Sequence, residues 1–169
     1  MLKDKSKVAC FTGHRPQKLS WGYNEKDERC LRVKEKARER ILNAINDGYT
    51  TFISGLAMGF DMICAEIVLE VKKDNPELKL VGAIPCLDQP SRWSESYKRR
   101  YKNIVEKLDH KVCKCTSYVN GCMQERNRFM IDNSSLCIAL YNGKSGGTAQ
   151  TVKDAEKKGL KLAIINPEE

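Results

Sequence analysis

The chain is short of the features that mark several large classes of protein. No apolar run approaches the ~20 residues that a helix needs to cross a bilayer. The basic start, Met1 to Lys7, leads only into a short strand-like run, not the long apolar core of a secretory signal. These two lacks point to a cytoplasmic protein without a membrane partner. Histidine is scarce: His14 and His110 are the only two, and no Ser–His–Asp grouping can be assigned around them. Both familiar nucleotide fingerprints are missing. G-x-G-x-x-G does not follow the first strand-like run, and G-x4-G-K-[ST] occurs nowhere in the 169 residues. That argues against an ordinary dehydrogenase or P-loop NTPase. Linkers, internal repeats and low-complexity stretches are also wanting, so residues 1–169 read as one domain.

Cysteine, by contrast, is plentiful, at eight residues. Cys10, Cys64, Cys86 and Cys137 lie inside apolar runs, where the thiol behaves as a small hydrophobe. Cys113, Cys115 and Cys122 are spaced C-x-C-x6-C, which is not a usual zinc pattern, and His110 precedes them. No metal and no cofactor is expected. The composition is otherwise that of an ordinary globular chain, 41% hydrophobic and 31% charged, but the formal net charge is +8. A lysine-rich solvated surface accounts for such a charge, and so does an acidic partner, either a phosphate-bearing ligand or a nucleic acid.

Strand-like and helix-like segments alternate along the chain. Strands are expected at 7–12, 50–54, 78–84, 111–115, 136–141 and 160–165. Helices are expected at 25–46, 60–73, 91–108, 122–132 and 148–158. In the first helix Leu31, Ala37, Ile41, Leu42 and Ile45 are assigned to the buried side. Six strands and five helices in this order predict an α/β fold: a Rossmann-like, doubly wound, mainly parallel sheet with helices on both faces. Ligands of such sheets bind beyond the carboxyl ends of the strands, where strand order reverses.

Four turns at those ends carry chemistry. Gly13, His14 and Arg15 follow the first strand; glycine permits a sharp turn and Arg15 can grip a phosphate with its planar fork. Ser54, Gly55 and Gly59 precede the second helix, with Asp61 in its first turn, either capping backbone N–H groups or accepting hydroxyl bonds from a ribose. Arg92 and Trp93 follow the third strand, either flanking a base or packing the next helix. The Arg, Lys and Tyr content of 92–102 suits either a solvated face or single-stranded nucleic acid. Gly146, Gly147 and Thr148 open the last helix as a phosphate cradle. Arg126 and Asn127, near the start of the fourth helix, are expected at the same edge.

Taken together, the motifs T-G-H-R-P (Thr12 to Pro16), S-G-x-A-x-G-x-D (Ser54 to Asp61), the Pro85–Gln89–Trp93 stretch, R-N-R-F-M-I-D (Arg126 to Asp132) and S-G-G-T (Ser145 to Thr148) resemble the SLOG superfamily of Rossmann-like proteins. The resemblance covers nearly the whole chain and is closest to the YpsA-like branch of bacterial and phage proteins. Three functions follow as implications. The segment Met123 to Met130 is similar to a motif of the LOG phosphoribohydrolases, and Arg126 matches their catalytic arginine. Asn127 stands where they carry lysine, and Thr151 where they carry the catalytic glutamate. If the site is catalytic, the implied reaction is N-glycosidic hydrolysis, with Arg126 orienting the phosphoribosyl group and Asp61 or Glu125 stabilising the developing charge. The same motifs are similar to those of DprA/Smf proteins, which implies binding of single-stranded DNA. Other SLOG domains sense nucleotide signals such as ADP-ribose derivatives in bacterial immunity. The reading is therefore a nucleotide-binding protein, for an ADP-ribose or nucleoside monophosphate type of ligand, acting as a sensor, a sequestering protein or a weak hydrolase. A DNA-binding module and a regulator working through a protein partner are the alternatives. The resemblance also implies a homodimer, with the helix from Ser91 as the candidate interface.

Overall fold

The computed structural model describes residues 4–169. Met1 to Lys3, part of the basic start, lie outside the described residues. Six strands form one sheet: β1 (Val8–Gly13), β2 (Thr51–Ser54), β3 (Lys79–Ile84), β4 (His110–Cys113), β5 (Leu136–Leu140) and β6 (Lys161–Ile165). Five helices connect them: α1 (Glu28–Asn46), α2 (Phe60–Lys72), α3 (Glu95–Glu106), α4 (Cys122–Asp132) and α5 (Gly147–Lys157). The strand order is β4-β3-β2-β1-β5-β6 and every pairing is parallel. The Rossmann-like expectation holds, and the order reverses between β1 and β5.

Side chains alternate across the sheet as the two-residue period of a strand demands. Ala9, Phe11, Phe52, Leu80 and Ile138 point to one face, where they pack with residues of α1, α2 and α3. Val8, Cys10, Ile53, Val81 and Cys137 point to the other, against Met130 and Ile131 of α4 and Val152 and Ala155 of α5. Three helices thus cover one face and two the other. The crevice between α4 and α5 lies over the reversal of strand order.

Two expectations about the helices need correction. On α1 the buried stripe is Cys30, Val33, Ala37, Ile41 and Ala44, spaced three and four residues apart as one face of a 3.6-residue helix requires. Leu31 and Leu42 sit about a quarter-turn off that stripe and are 47% and 44% exposed, and Ile45 is half-buried. α3 starts at Glu95, not Ser91, because Pro90 supports a turn (Trp93 N–H to Pro90 O, 3.0 Å) and the Ser94 hydroxyl caps the helix by accepting from Tyr97 N–H. The strand bounds shift by a residue or two, most at β4, which ends at Cys113. Cys10, Cys64, Cys86 and Cys137 are buried free thiols, as their apolar settings indicate.

Candidate functional site

A cleft of about 900 Å³ opens at the carboxyl end of β1 and continues between α4 and α5. Six cationic side chains line it (Arg15, Lys18, Arg126, Arg128, Lys157 and Lys158), against three carboxylates, Asp61, Asp132 and Asp154. The cleft is therefore net positive, which selects for an anionic occupant.

Arg126 is the centre of the site. The first-turn placement of Glu125 on α4 leaves that carboxylate outward and exposed, and turns Arg126 inward, where it is only 8% exposed. Its Nη1 donates to the carbonyl oxygen of Gly55 at 2.8 Å, and its Nε donates to Asn127 Oδ1 at 2.8 Å. Its Nη2 makes only a weak contact with Met123 Sδ, at 3.7 Å. Burial pushes its pKa down, Asp61 pulls it back up and Arg15 opposes it, but a guanidinium has no accessible neutral form and stays charged. Among the described residues no carboxylate lies within 4.0 Å of it. A buried cation without a paired anion is costly unless a ligand completes it.

Asp61 faces the same floor. Its Oδ2 accepts from Ala57 N–H at 3.4 Å, and its carbonyl accepts from the Ser54 hydroxyl at 2.9 Å, while Ser54 Oγ accepts from Leu56 N–H at 3.2 Å. These bonds lock the β2–α2 turn. Burial pushes the Asp61 pKa up; Arg126, the Ala57 N–H and Arg15 pull it back down. Asp61 thus both braces the turn and supplies the carboxylate at the cleft floor.

At the opposite wall, α5 begins at Gly147 with Gly146 as its N-cap and no side-chain cap, so its first N–H groups face the cleft mouth without a side-chain acceptor. Gly146 adopts φ +141°, and a β-carbon there would run into the Lys18 ammonium. Glycine therefore lets Lys18 close over the cradle. At the end of β1, His14 is 2% exposed, its N–H bonds Leu140 O at 3.1 Å, and its ring Nε2 lies 2.8 Å from Asn142 Oδ1. Burial lowers its pKa; Asn142 opposes that, and Lys18 and Lys144 reinforce it.

The structure brings together Gly13, His14, Arg15, Asp61, Arg126, Asn127, Gly147 and Thr148 as cleft lining. Ser54, Gly55, Gly59 and Gly146 shape the walls from behind. Two expected members lie elsewhere. Trp93 packs edge-on against Tyr101, with ring centroids 5.4 Å apart at 88°, outside the cleft lining. Glu125 lines a separate small hollow with Pro85 and Phe129. The sequence reading missed Lys18 and Gln150, and it treated Thr151 only as a departure from a motif. Thr151 is four residues after Gly147, one helical turn on, so helix spacing alone places it beside the cradle.

Fold, cleft position and motif order define a SLOG-type Rossmann-like protein. More narrowly, the chain belongs to the YspA SLOG family, whose model matches residues 9–169. A UPF0398 protein of Bacillus pumilus (strain SAFR-032) is 29% identical over 158 residues, 89% of this chain and 82% of that protein. Another, of Bacillus thuringiensis (strain Al Hakam), is 29% identical over 155 residues, 90% of this chain and 83% of that protein. The X-ray structure of DNA processing protein A (DprA) from Streptococcus pneumoniae matches with a TM-score of 0.57 at 18% identity, over 93% of this chain and 49% of that one. The chain spans about half the length of DprA, and the likeness concerns the fold. No helix among the described residues is long and apolar enough to cross a membrane.

Proposed function

We propose that the protein binds an anionic nucleotide or nucleotide-derived ligand in the cleft between β1, α4 and α5. The observation that carries this reading is Arg126: buried, without an ion-pair partner among the described residues, and aimed at the cleft with two of its five N–H groups uncommitted. Arg15, Lys18 and the first turn of α5 supply the remaining positive potential for phosphate. Asp61 is the carboxylate available to a ribose hydroxyl at the floor.

The site is better equipped to hold such a ligand than to cleave it. N-glycosidic hydrolysis needs a carboxylate near the sugar to stabilise positive charge. Glu125 is outside the cleft, and the position that follows the cradle by one turn is Thr151, whose hydroxyl is committed to Gly147 O at 3.0 Å. Among the described residues, Asp61 is left as the buried acid able to support slow turnover. Sensor or sequestering protein is therefore the reading, for a ligand of the ADP-ribose or nucleoside monophosphate type.

The test is a thermal shift and calorimetry panel of AMP, ADP-ribose, NAD, cyclic dinucleotides and a short single-stranded DNA, with chromatography for released base. Binding stabilises the native state as RT ln(1 + [L]/Kd), so weak ligands register. A shift with one nucleotide that Arg126→Ala abolishes is the expected result. Binding that survives Arg126→Ala would refute the site, and released base would make the protein an enzyme. A response to DNA alone, falling steeply with salt, would transfer the reading to a nucleic-acid module. Light scattering on the same samples tests the expected homodimer.

A further inference from the structure

We propose that Asn127 and Thr151 form a positioning relay that fixes the Arg126 guanidinium and ties it to the first turn of α5; this rests on the reading of the cleft given above. The hydrogen bonds run without a break. Gly55 O accepts from Arg126 Nη1 (2.8 Å), Arg126 Nε donates to Asn127 Oδ1 (2.8 Å), Asn127 Nδ2 donates to Thr151 Oγ1 (3.3 Å), and Thr151 Oγ1 donates to Gly147 O (3.0 Å). The chain joins the β2–α2 turn, α4 and α5, which are three walls of the cleft.

The direction of every bond follows from the arginine. A guanidinium Nε–H can only donate, so the amide atom facing it is Oδ1. Nδ2 must then face Thr151, where it can only donate, so the Thr151 oxygen accepts there. The hydroxyl proton is left for Gly147 O, a threonine bonding back one turn along its helix. Each end of the Asn127 amide makes one of these bonds, which fixes the amide's orientation. Through Oδ1, Asn127 acts on a ligand by setting the pose of Arg126.

A long, rotamer-rich side chain held in this way has its ordering cost met before the ligand arrives. The relay also makes the pose of Arg126 depend on the backbone at Gly147, where the α5 N-terminus meets the same anion. The neutral pair Asn127–Thr151 does this without adding a charge that would compete with the ligand for the guanidinium.

The test uses the full chain and reads the Arg126 Nε–H signal by ¹⁵N NMR, with melting temperature and an AMP titration on the same samples. Thr151→Val keeps the shape and removes the hydroxyl. It is expected to speed solvent exchange of the Arg126 Nε–H about tenfold and to weaken AMP binding about fivefold, and Thr151→Ser is expected to restore both. Asn127→Asp, which loses the donor and places an anion on Nε, is expected to weaken AMP binding further than Thr151→Val. If Thr151→Val lowers the melting temperature but leaves Nε–H exchange at the wild-type rate, Thr151 is merely structural and the relay is wrong. If the wild-type protein ignores AMP and inorganic phosphate, the reading of the cleft fails, and the exchange rates alone still decide the relay.

Discussion

The carbonyl oxygen of Gly55 accepts a 2.8 Å hydrogen bond from Nη1 of Arg126, across a gap that one β-carbon would fill. A methyl group on residue 55 would stand 2.8 Å from Arg126 Cζ and nearer still to Nη1. Gln89 Nε2 also donates to this carbonyl, at 3.3 Å, so the β3–α3 loop is tied to the same point. Gly55→Ala is therefore expected to push the guanidinium out of its pose. Overpacking of this kind costs about 1–3 kcal/mol of stability, and AMP affinity should fall by about tenfold. Urea titration and calorimetry on one preparation check both. Undiminished AMP binding in a destabilised Gly55→Ala protein would mean that the anion does not rest on Arg126.

Lys18 gives a second prediction with the opposite stability signature. It follows Arg15 by one turn and closes over Gly146 at the cleft mouth. Its ammonium is absent from the ion pairs of the structure, among the described residues. Lys18→Met is expected to weaken AMP about fivefold, as loss of one charge-assisted hydrogen bond does. It should leave the melting temperature nearly unchanged and flatten the salt dependence of binding. A fall in melting temperature with unchanged affinity would assign Lys18 to the fold, not to the ligand.

The fold was legible because its signals are local and periodic. Alternating apolar runs such as 8–12 and 136–140, each stopped by glycine or a polar turn, are enough to order the elements. The turns of the candidate site follow, since Gly13, Gly55, Gly59 and Gly146–Gly147 each sit where a strand hands over to a helix. Side-chain direction was less legible. Leu31 and Leu42 are apolar yet exposed, because burial on α1 depends on a rotation that the neighbouring Cys30 and Ile41 fix instead. Trp93 and Glu125 lie outside the cleft lining for the same reason: a residue in a loop or in the first turn of a helix can face the cleft, the core or solvent, and only the packing of Tyr101 and the roll of α4 decide. Asn127 and Thr151 are 24 residues apart, and no spacing rule joins them; the bond exists because α4 and α5 share one face of the sheet.

Arg100 separates the nucleic-acid reading of α3 from a structural one. Its guanidinium forms bidentate bonds with Glu25 and with Glu66 at 2.6–3.0 Å and stacks over Tyr97 at 5.6 Å. Two half-buried carboxylates hold it, and this pairing keeps the Glu25 pKa low against its own burial. Arg100 is thereby withdrawn from the cations a nucleic acid would meet, and Tyr101 is buried. Arg100→Met is expected to cost on the order of 1–2 kcal/mol of stability with AMP affinity unchanged. The exposed cations of the segment are Arg92, Arg99 and Lys102. Their combined replacement by alanine is expected to leave nucleotide binding intact. A large loss of DNA affinity in that triple variant, in a protein with no nucleotide response, would establish the alternative.

His14 sets a pH dependence whose sign can be worked out. His14 Nε2 lies 2.8 Å from Asn142 Oδ1, which also accepts from Lys144 N–H at 3.0 Å, and 3.2 Å from the Asn142 backbone N–H, which points at it, so Asn142 meets this nitrogen with both a donor and an acceptor. Nδ1 is buried and without a hydrogen-bond partner among the described residues. Burial disfavours the charged ring, and Lys18 and Lys144 add to that, so the native pKa lies below 6.5. Between the native value and 6.5 the unfolded chain binds more protons than the folded one. Stability is therefore full above 6.5, falls as pH drops through that window by up to about 1.4 kcal/mol per pH unit, and levels off below the native value. His14→Gln keeps a donor for Asn142 and cannot titrate, so urea midpoints at pH 7.5 and 5.0 should differ less in the variant than in the wild type. A ligand hydroxyl that reaches Nδ1 gives that buried nitrogen the partner it lacks, one that His14→Gln does not offer in the same place, and AMP would then protect the wild type more than it protects His14→Gln. Equal protection of the two proteins would leave Nδ1 outside the ligand's reach and confine His14 to holding the β1 and β5 ends together.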